Sequence, residues 1–220
     1  MSNTRVVLVT GGMGGLGETI STKMADAGYK VAVTYSPGNT KHAEWVAGMK
    51  GRGYDIAAVP CDVADLDSCA KAVAEVTAKV GPVDVLVNNA GICPVSFIKD
   101  MPYEMWRSTI DINLNGTFLC CRELVRRATA QKRPARIVNI VSQAAFNGSA
   151  TGKLHYSASK AGIVMLTVSL AKEMSREGIT VNAVAPGMMR TEMVAESLKV
   201  KEEQYNKSIP LGRIGDTREV

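Results

Sequence analysis

The 220-residue chain is 46% hydrophobic and 21% charged with 20 glycines, a balance that suits one globular α/β domain with a sizeable core. No apolar run is long enough to span a bilayer, and Met1-Ser-Asn-Thr-Arg5 leads directly into the first strand, so neither a transmembrane helix nor a signal peptide is expected. Five cysteines (61, 69, 93, 120 and 121) without a C-x-x-C pair, and only two histidines, argue against a disulfide framework or a metal site and point to a reducing cytoplasm. The net charge of +5 is mild and suits a phosphate-bearing ligand. The cluster Arg126, Arg127, Lys132, Arg133 and Arg136 reads as the solvated end of a helix, not as a nucleic-acid patch.

Strand-like and helix-like segments then alternate along the chain. Val6 to Thr10 is an apolar, β-branched strand that runs into Gly11-Gly-Met-Gly-Gly15-Leu-Gly17. Helical periodicity follows from Glu18 to a stop at Gly28. Strand two is predicted over Tyr29–Tyr35 with a helix over Thr40–Gly53, strand three over Tyr54–Pro60 with a helix over Leu66–Val80, and strand four over Val83–Asn88. A long helical region from about Tyr103 to Ala130 precedes strand five, Arg136–Ser142. A helix carrying Tyr156 and Lys160 leads to strand six, Ile179–Ala185. Near-continuously apolar strands alternating with helices predict a single-domain α/β fold over residues 1–220, a doubly wound parallel sheet of Rossmann type with helices on both faces. Met188 to Lys207, rich in Met, Glu and Lys, reads as a helical lid.

Three features suggest chemistry. A strand, a glycine-rich turn and a helix in succession form a dinucleotide cradle, because glycines let backbone N–H groups approach a pyrophosphate at the positive end of a helix. Gly11, Asp62, Asn88 to Gly91, Ser142 and Pro186-Gly187 all fall just past strand ends, the rim on which ligands sit in such sheets. Tyr156 and Lys160 stand at i and i+4, on one helical face. A cation about 5 Å from a phenol at an effective dielectric of about 20 is worth roughly 3 kcal/mol, somewhat over 2 pKa units, enough to bring a tyrosine near roughly 10 toward working range. Taken singly, Ser142 reads as a helix cap, Asn113 as a satisfied mid-helix polar residue and Lys160 as a solvated charge.

Thr10-Gly-x3-Gly15-x-Gly17, Asp62-Val63, Asn88-Asn-Ala-Gly91, Asn113, Ser142, Tyr156-x3-Lys160 and Pro186-Gly187 with Thr191, in register from residue 4 to about 219, resemble the short-chain dehydrogenase/reductase family. The resemblance implies a nicotinamide dinucleotide cofactor. It implies proton donation by Tyr156, a hydrogen bond from Ser142 to the same substrate oxygen, ribose binding by Lys160, and an Asn113 that holds a water leading to solvent. It further implies adenine contact at Asp62 and Val63 and cofactor contacts at Gly11, Met13, Gly14, Gly15, Leu16, Gly17, Asn89, Ala90, Gly91, Pro186, Gly187 and Thr191. Family members continue past the position of Val220 into a helix and a seventh strand and assemble as homotetramers. Here Asp216-Thr-Arg-Glu-Val220 reads as the first turn of that helix, capped by Asp216 or Thr217. The helices over 103–130 and 153–177 would form the other assembly face.

Strand two ends Thr34-Tyr35-Ser36-Pro37-Gly38-Asn39 without the acid that holds a ribose 2′-hydroxyl in NAD-dependent enzymes, and Lys41 and His42 follow. That favours NADPH over NADH, with Tyr35, Ser36, Asn39 and Lys41 as contacts. Tyr35-Ser-Pro, the Trp45 helix and Ile209-Pro-Leu-Gly-Arg-Ile-Gly215 resemble bacterial acetoacetyl-CoA and 3-oxoacyl-thioester reductases. The expected substrate residues are Pro94, Gln143, Phe146 and Met188, with Leu154 beside Phe146 and Lys153 toward a carrier phosphate. Cys93-Pro94-Val95 and the segment 143–154 depart from those relatives. A small ketone, diketone or polyol is therefore an alternative substrate, and a non-catalytic nucleotide-binding regulator an alternative function.

Overall fold

Successive residues of a strand point to opposite faces of its sheet. In β1 (Val6–Val9) every residue is buried, which explains an apolar run without alternation. Val6 and Leu8 join one core and Val7 and Val9 the other. The structure, a computed structural model, describes residues 4–220; Met1 to Asn3, on which the reading of the amino terminus partly rests, lie outside them. Six parallel strands, β1, β2 (Lys30–Tyr35), β3 (Ile56–Pro60), β4 (Val83–Asn88), β5 (Ala135–Ile140) and β6 (Ile179–Val184), are ordered β3-β2-β1-β4-β5-β6. The expected doubly wound sheet is therefore present. Its order reverses between β1 and β4, which opens a crevice at the carboxyl ends of those strands. The β1–β4 register shifts at Val6, where the Asp84 carboxylate accepts the Val6 N–H at 2.8 Å.

One face packs against α3 (Leu66–Lys79), α5 (Gly116–Ala130) and α7 (Leu154–Met174) through Val73, Val76, Leu124 and Met174. The other packs against α1 (Gly15–Asp26) and α2 (His42–Gly51) through Leu16, Ile20, Trp45 and Met49. Each large apolar side chain fully buried in these layers contributes about 1.5–3 kcal/mol. Glu18 joins α1 to α2, accepting from Trp45 Nε1 at 2.8 Å and from Arg52 at 2.7 Å.

Several boundaries differ from the sequence reading, each for a local reason. α1 begins at Gly15, not Glu18, so the helix absorbs the end of the glycine turn. α2 starts two residues late because the Asn39 side chain accepts the Lys41 N–H at 2.9 Å and holds an Asx turn. The long helix over 103–130 is α4 (Tyr103–Ile110), a π turn over Asp111–Asn115, and α5. β5 ends at Ile140, yet Val141 N–H still bonds to Val184 O and Gln143 N–H to Pro186 O, which carries Ser142 to the rim. A short helix, α6 (Ala144–Asn147), was not expected. In the segment read from sequence as a lid, 188–190 exchanges backbone bonds with Gly215 before α8 (Ala195–Ser208). Asp216, not Thr217, caps the final turn in a capping box with Glu219; Thr217 bonds to Thr19 of α1 at 2.7 Å.

Candidate active site

The glycine turn is shaped by backbone, not side chains. Gly11 and Gly15 have φ of 61° and 51°, and a Cβ on Gly17 would stand 2.2 Å from Gly11 O and 2.7 Å from Asn89 Nδ2. No side chain caps α1 at Gly14, so its first N–H groups are available to an anion at the positive end of the helix. Asn89 fixes the facing strand end: its amide donates to Thr10 O at 3.1 Å and Gly11 O at 3.0 Å, and its N–H donates to the Thr10 hydroxyl at 3.0 Å. Beneath it, Asn88 donates to Asn139 at 2.8 Å and Asn139 to Thr167 at 2.8 Å, a buried chain that ties β4, β5 and α7 together.

A cavity of about 620 Å³ runs from this turn to Tyr156 and the lid. Its cofactor end is lined by the expected Gly11, Gly14, Gly15 and Leu16 and by Ser36, Asp62 and Val63. Asn89, Ala90, Gly91, Pro186, Gly187 and Thr191 line its middle, and Ser142, Gln143, Tyr156, Lys160 and Met188 the far end. The remaining expected contacts stand apart from it. Gly17 lies beneath the turn, where it permits close packing, and Met13 packs with the α1–α2 core. Tyr35 stacks on His42 at 4.4 Å, and Lys41 precedes α2 with its backbone held by Asn39, so of the four NADPH contacts expected after strand two only Ser36 reaches the cavity. Pro94 and Phe146 do not line it either; Phe146 is 65% exposed and forms no wall with Leu154, which is also exposed.

The reacting cluster is assembled from three elements. Lys160 is almost fully buried on α7, donates to Ile140 O at 2.7 Å and stands 5.7 Å from the Tyr156 ring centre. Burial lowers its pKa to about 8, with Cys93 acting the other way. The Tyr156 phenol is pushed up to about 12, chiefly by burial and then by Cys93, with Ser142 opposing. Desolvation is the largest influence on this phenol, and the Lys160 ammonium, which the sequence reading expects to make it more acidic, donates to a strand-end carbonyl. Ser142, whose Oγ accepts the Ala144 N–H at 3.2 Å, faces the phenol.

Asn113 is fully buried inside the π turn. Its amide donates to Ile92 O at 2.9 Å and Ser159 Oγ at 3.0 Å, and its carbonyl oxygen accepts the Ile92 N–H at 2.8 Å. Its side chain therefore fixes the loop after β4 against α7. A π turn at that position turns the residue inward, and such turns recur at functional sites.

Cavity residues missed from sequence include Thr34 and Cys61 at the cofactor end, and Cys93, Asn147 and Thr151 at the far end, with Glu192, Met193 and Tyr205 from the 188–207 segment. Cys61 and Thr34 had a signal, since both adjoin a strand terminus on the ligand rim. The lid residues had none, because their approach depends on how α8 folds back. No described helix is long and apolar enough to cross a membrane, and the five cysteines are all free. Among the described residues no group of three or more His, Cys, Asp or Glu is arranged to hold a metal.

Comparison with known proteins accords with this geometry. The family model for short chain dehydrogenase matches residues 5–202. The 3-oxoacyl-[acyl-carrier-protein] reductase FabG of Staphylococcus aureus (strain Mu50) is 38% identical over 223 residues, covering 100% of this chain and 89% of that protein. The acetoacetyl-CoA reductase of Shinella zoogloeoides is 41% identical over 218 residues, covering 99% of this chain and 88% of that one. A crystal structure of a variant actinorhodin polyketide ketoreductase with NADPH superposes with a TM-score of 0.92 at 31% identity, covering 100% of this chain and 88% of its own. With Tyr156, Lys160 and Ser142 gathered at one end of a cavity that begins at the glycine turn, the chain belongs to the short chain dehydrogenase family and is an NAD(P)-dependent oxidoreductase.

Proposed function

We propose that the protein reduces the keto group of a 3-oxoacyl thioester, such as acetoacetyl-CoA, to the 3-hydroxyacyl product with NADPH. The observation that carries this reading is the continuity of one cavity from the uncapped end of α1 to the Tyr156 phenol. A bound nicotinamide dinucleotide supplies the hydride. Around it, Gly14, Gly15 and Leu16 offer backbone N–H groups to the pyrophosphate, Asp62 and Val63 border the adenine, and Lys160 binds the nicotinamide ribose. Ser36, which no acidic residue follows at the end of β2, receives the 2′-phosphate. Ser142 and Tyr156 both donate to the substrate oxygen as negative charge develops there, and Tyr156 gives up its proton. A phenol held up at about 12 is protonated throughout the neutral range, the form a reductase needs at the start of each turnover. Asn113 holds Ile92 and Ser159 in place behind this pair.

The relatives' names support the thioester as substrate. A small ketone or diketone is the second reading, supported by Cys93 on the cavity wall beside Tyr156 and Lys160. Loss of NADPH absorbance with acetoacetyl-CoA, against diacetyl and simple ketones, tests the assignment; turnover confined to the small ketones would overturn the thioester. We infer a cytoplasmic homotetramer as the working form. Exposed Phe118 of α5 and Met165 and Val168 of α7 support a helical assembly face, and sedimentation as a monomer would overturn it.

A further inference from the structure

Lys153 precedes α7 at the far end of the cavity, three residues before the phenol and on the same side of the helix. A helix amino terminus favours Ser, Thr, Asp or Asn at this place, and its dipole disfavours a cation. Lys153 makes no side-chain cap, and it forms no ion pair with any described residue. Its backbone is nonetheless fixed on both sides. Gly152, at φ 73°, is buried against Val95 and Ser96, whose N–H bonds to Gly152 O at 2.9 Å, and Lys153 O receives the Ser157 N–H at 2.9 Å.

The charge also reaches the reacting centre. Lys153 lines the cavity together with Cys93, Tyr156 and Lys160, and burial raises the Cys93 thiol while Lys153 and Lys160 oppose that rise. The carboxylates that line the cavity, Asp62 and Glu192, belong to its cofactor end; Glu192 lies 3.8 Å from where a Cβ on Gly14 would be. A helix terminus and an unpaired ammonium therefore make the substrate end electropositive, and they call for an oxygen acceptor near the reacting carbonyl.

We propose that Lys153 is a specificity-determining residue that binds the second carbonyl oxygen of a 1,3-dicarbonyl substrate while the first is held by Tyr156 and Ser142. This rests on the 3-oxoacyl reading and supplies its selectivity: the thioester carbonyl is that second oxygen, and a monoketone lacks it. The test compares 2,4-pentanedione with 2-pentanone, which differ in the second carbonyl alone, and adds the acetoacetyl thioester of N-acetylcysteamine. Wild-type protein, Lys153→Met and Lys153→Arg are assayed with NADPH after confirming equal melting temperatures and equal NADPH binding. Lys153→Met is expected to lower the ratio of kcat/KM for the dione over the monoketone by about 10- to 100-fold, mostly through KM, as for one charge-assisted hydrogen bond. Lys153→Arg restores most of it. An unchanged ratio in Lys153→Met overturns the proposal, as does an equal loss on both ketones. Reduction of the dione without reduction of the thioester overturns the thioester reading, while the ratio still decides the role of Lys153. Should Lys153→Met not fold, Lys153→Gln is read in the same way.

Discussion

The two ends of the cavity are built differently. The cofactor end is made of backbone: glycines at positive φ, strand termini, and the open end of a 12-residue helix braced by Asn89. The far end is made of side chains on short loops and a lid, where Cys93, Gln143, Lys153 and Met188 meet. Backbone geometry tolerates few substitutions, because any Cβ at Gly17 strikes Gly11 O, whereas loop side chains change without disturbing the sheet. One fold can thus keep its cofactor and vary its substrate.

The sharpest way to break that division is at its seam. Tyr156→Phe removes the proton donor and is expected to lower kcat by about 10²- to 10⁴-fold with NADPH affinity nearly unchanged, as read by steady-state kinetics and fluorescence titration. A parallel loss of NADPH binding would assign Tyr156 to the cofactor end alone. Ser36→Asp places a carboxylate where the 2′-phosphate is expected and should shift preference toward NADH by about 10- to 100-fold. Lys41→Ala, off the cavity wall, should shift it by no more than about fivefold, and a larger effect would show that the Lys41 side chain reaches the phosphate. Gly17→Ala should lower stability by about 1–3 kcal/mol in chemical denaturation and weaken NADPH binding as well.

The pH behaviour separates the two members of the reacting pair. Tyr156 stays protonated to about 12, so alcohol oxidation, which starts from the phenolate, should rise about tenfold per pH unit between 7 and 10. Reduction should instead decline above about 8 as Lys160 loses its proton. Initial rates in both directions across this range check the assignment. The smallest effect concerns His155, which is fully buried next to Tyr156. Burial lowers its pKa, with the Pro94 backbone opposing, so the unfolded chain binds the proton more readily. The resulting stability is present above an ordinary histidine pKa of about 6.5 and is lost as pH falls through the lowered one. Between pH 7 and 5 the melting temperature of the wild type should fall relative to that of His155→Leu on acidification.

Most of the sheet and the cofactor rim could be read in the sequence because they depend on local signals. A fully buried parallel strand must be apolar along its length, a glycine turn must precede a helix that receives phosphate, and Tyr156 and Lys160 share a face by helical geometry. Even the start of α2 and the capping box at Asp216 follow from side chains within a few residues. Other decisions needed distant partners. The surroundings of the Tyr156 phenol, with Ser142 and Cys93 beside it, were set by segments well before α7 in the chain. The inward turn of Asn113 depends on a π turn and on Ile92 and Ser159, 21 and 46 residues away in sequence. The exclusion of Phe146 and Pro94 from the cavity, and the entry of Met193 and Tyr205, likewise follow from how loops fold back over a finished sheet. Periodicity and spacing encode what one segment does, whereas desolvation and loop closure are set by whichever segments arrive beside it.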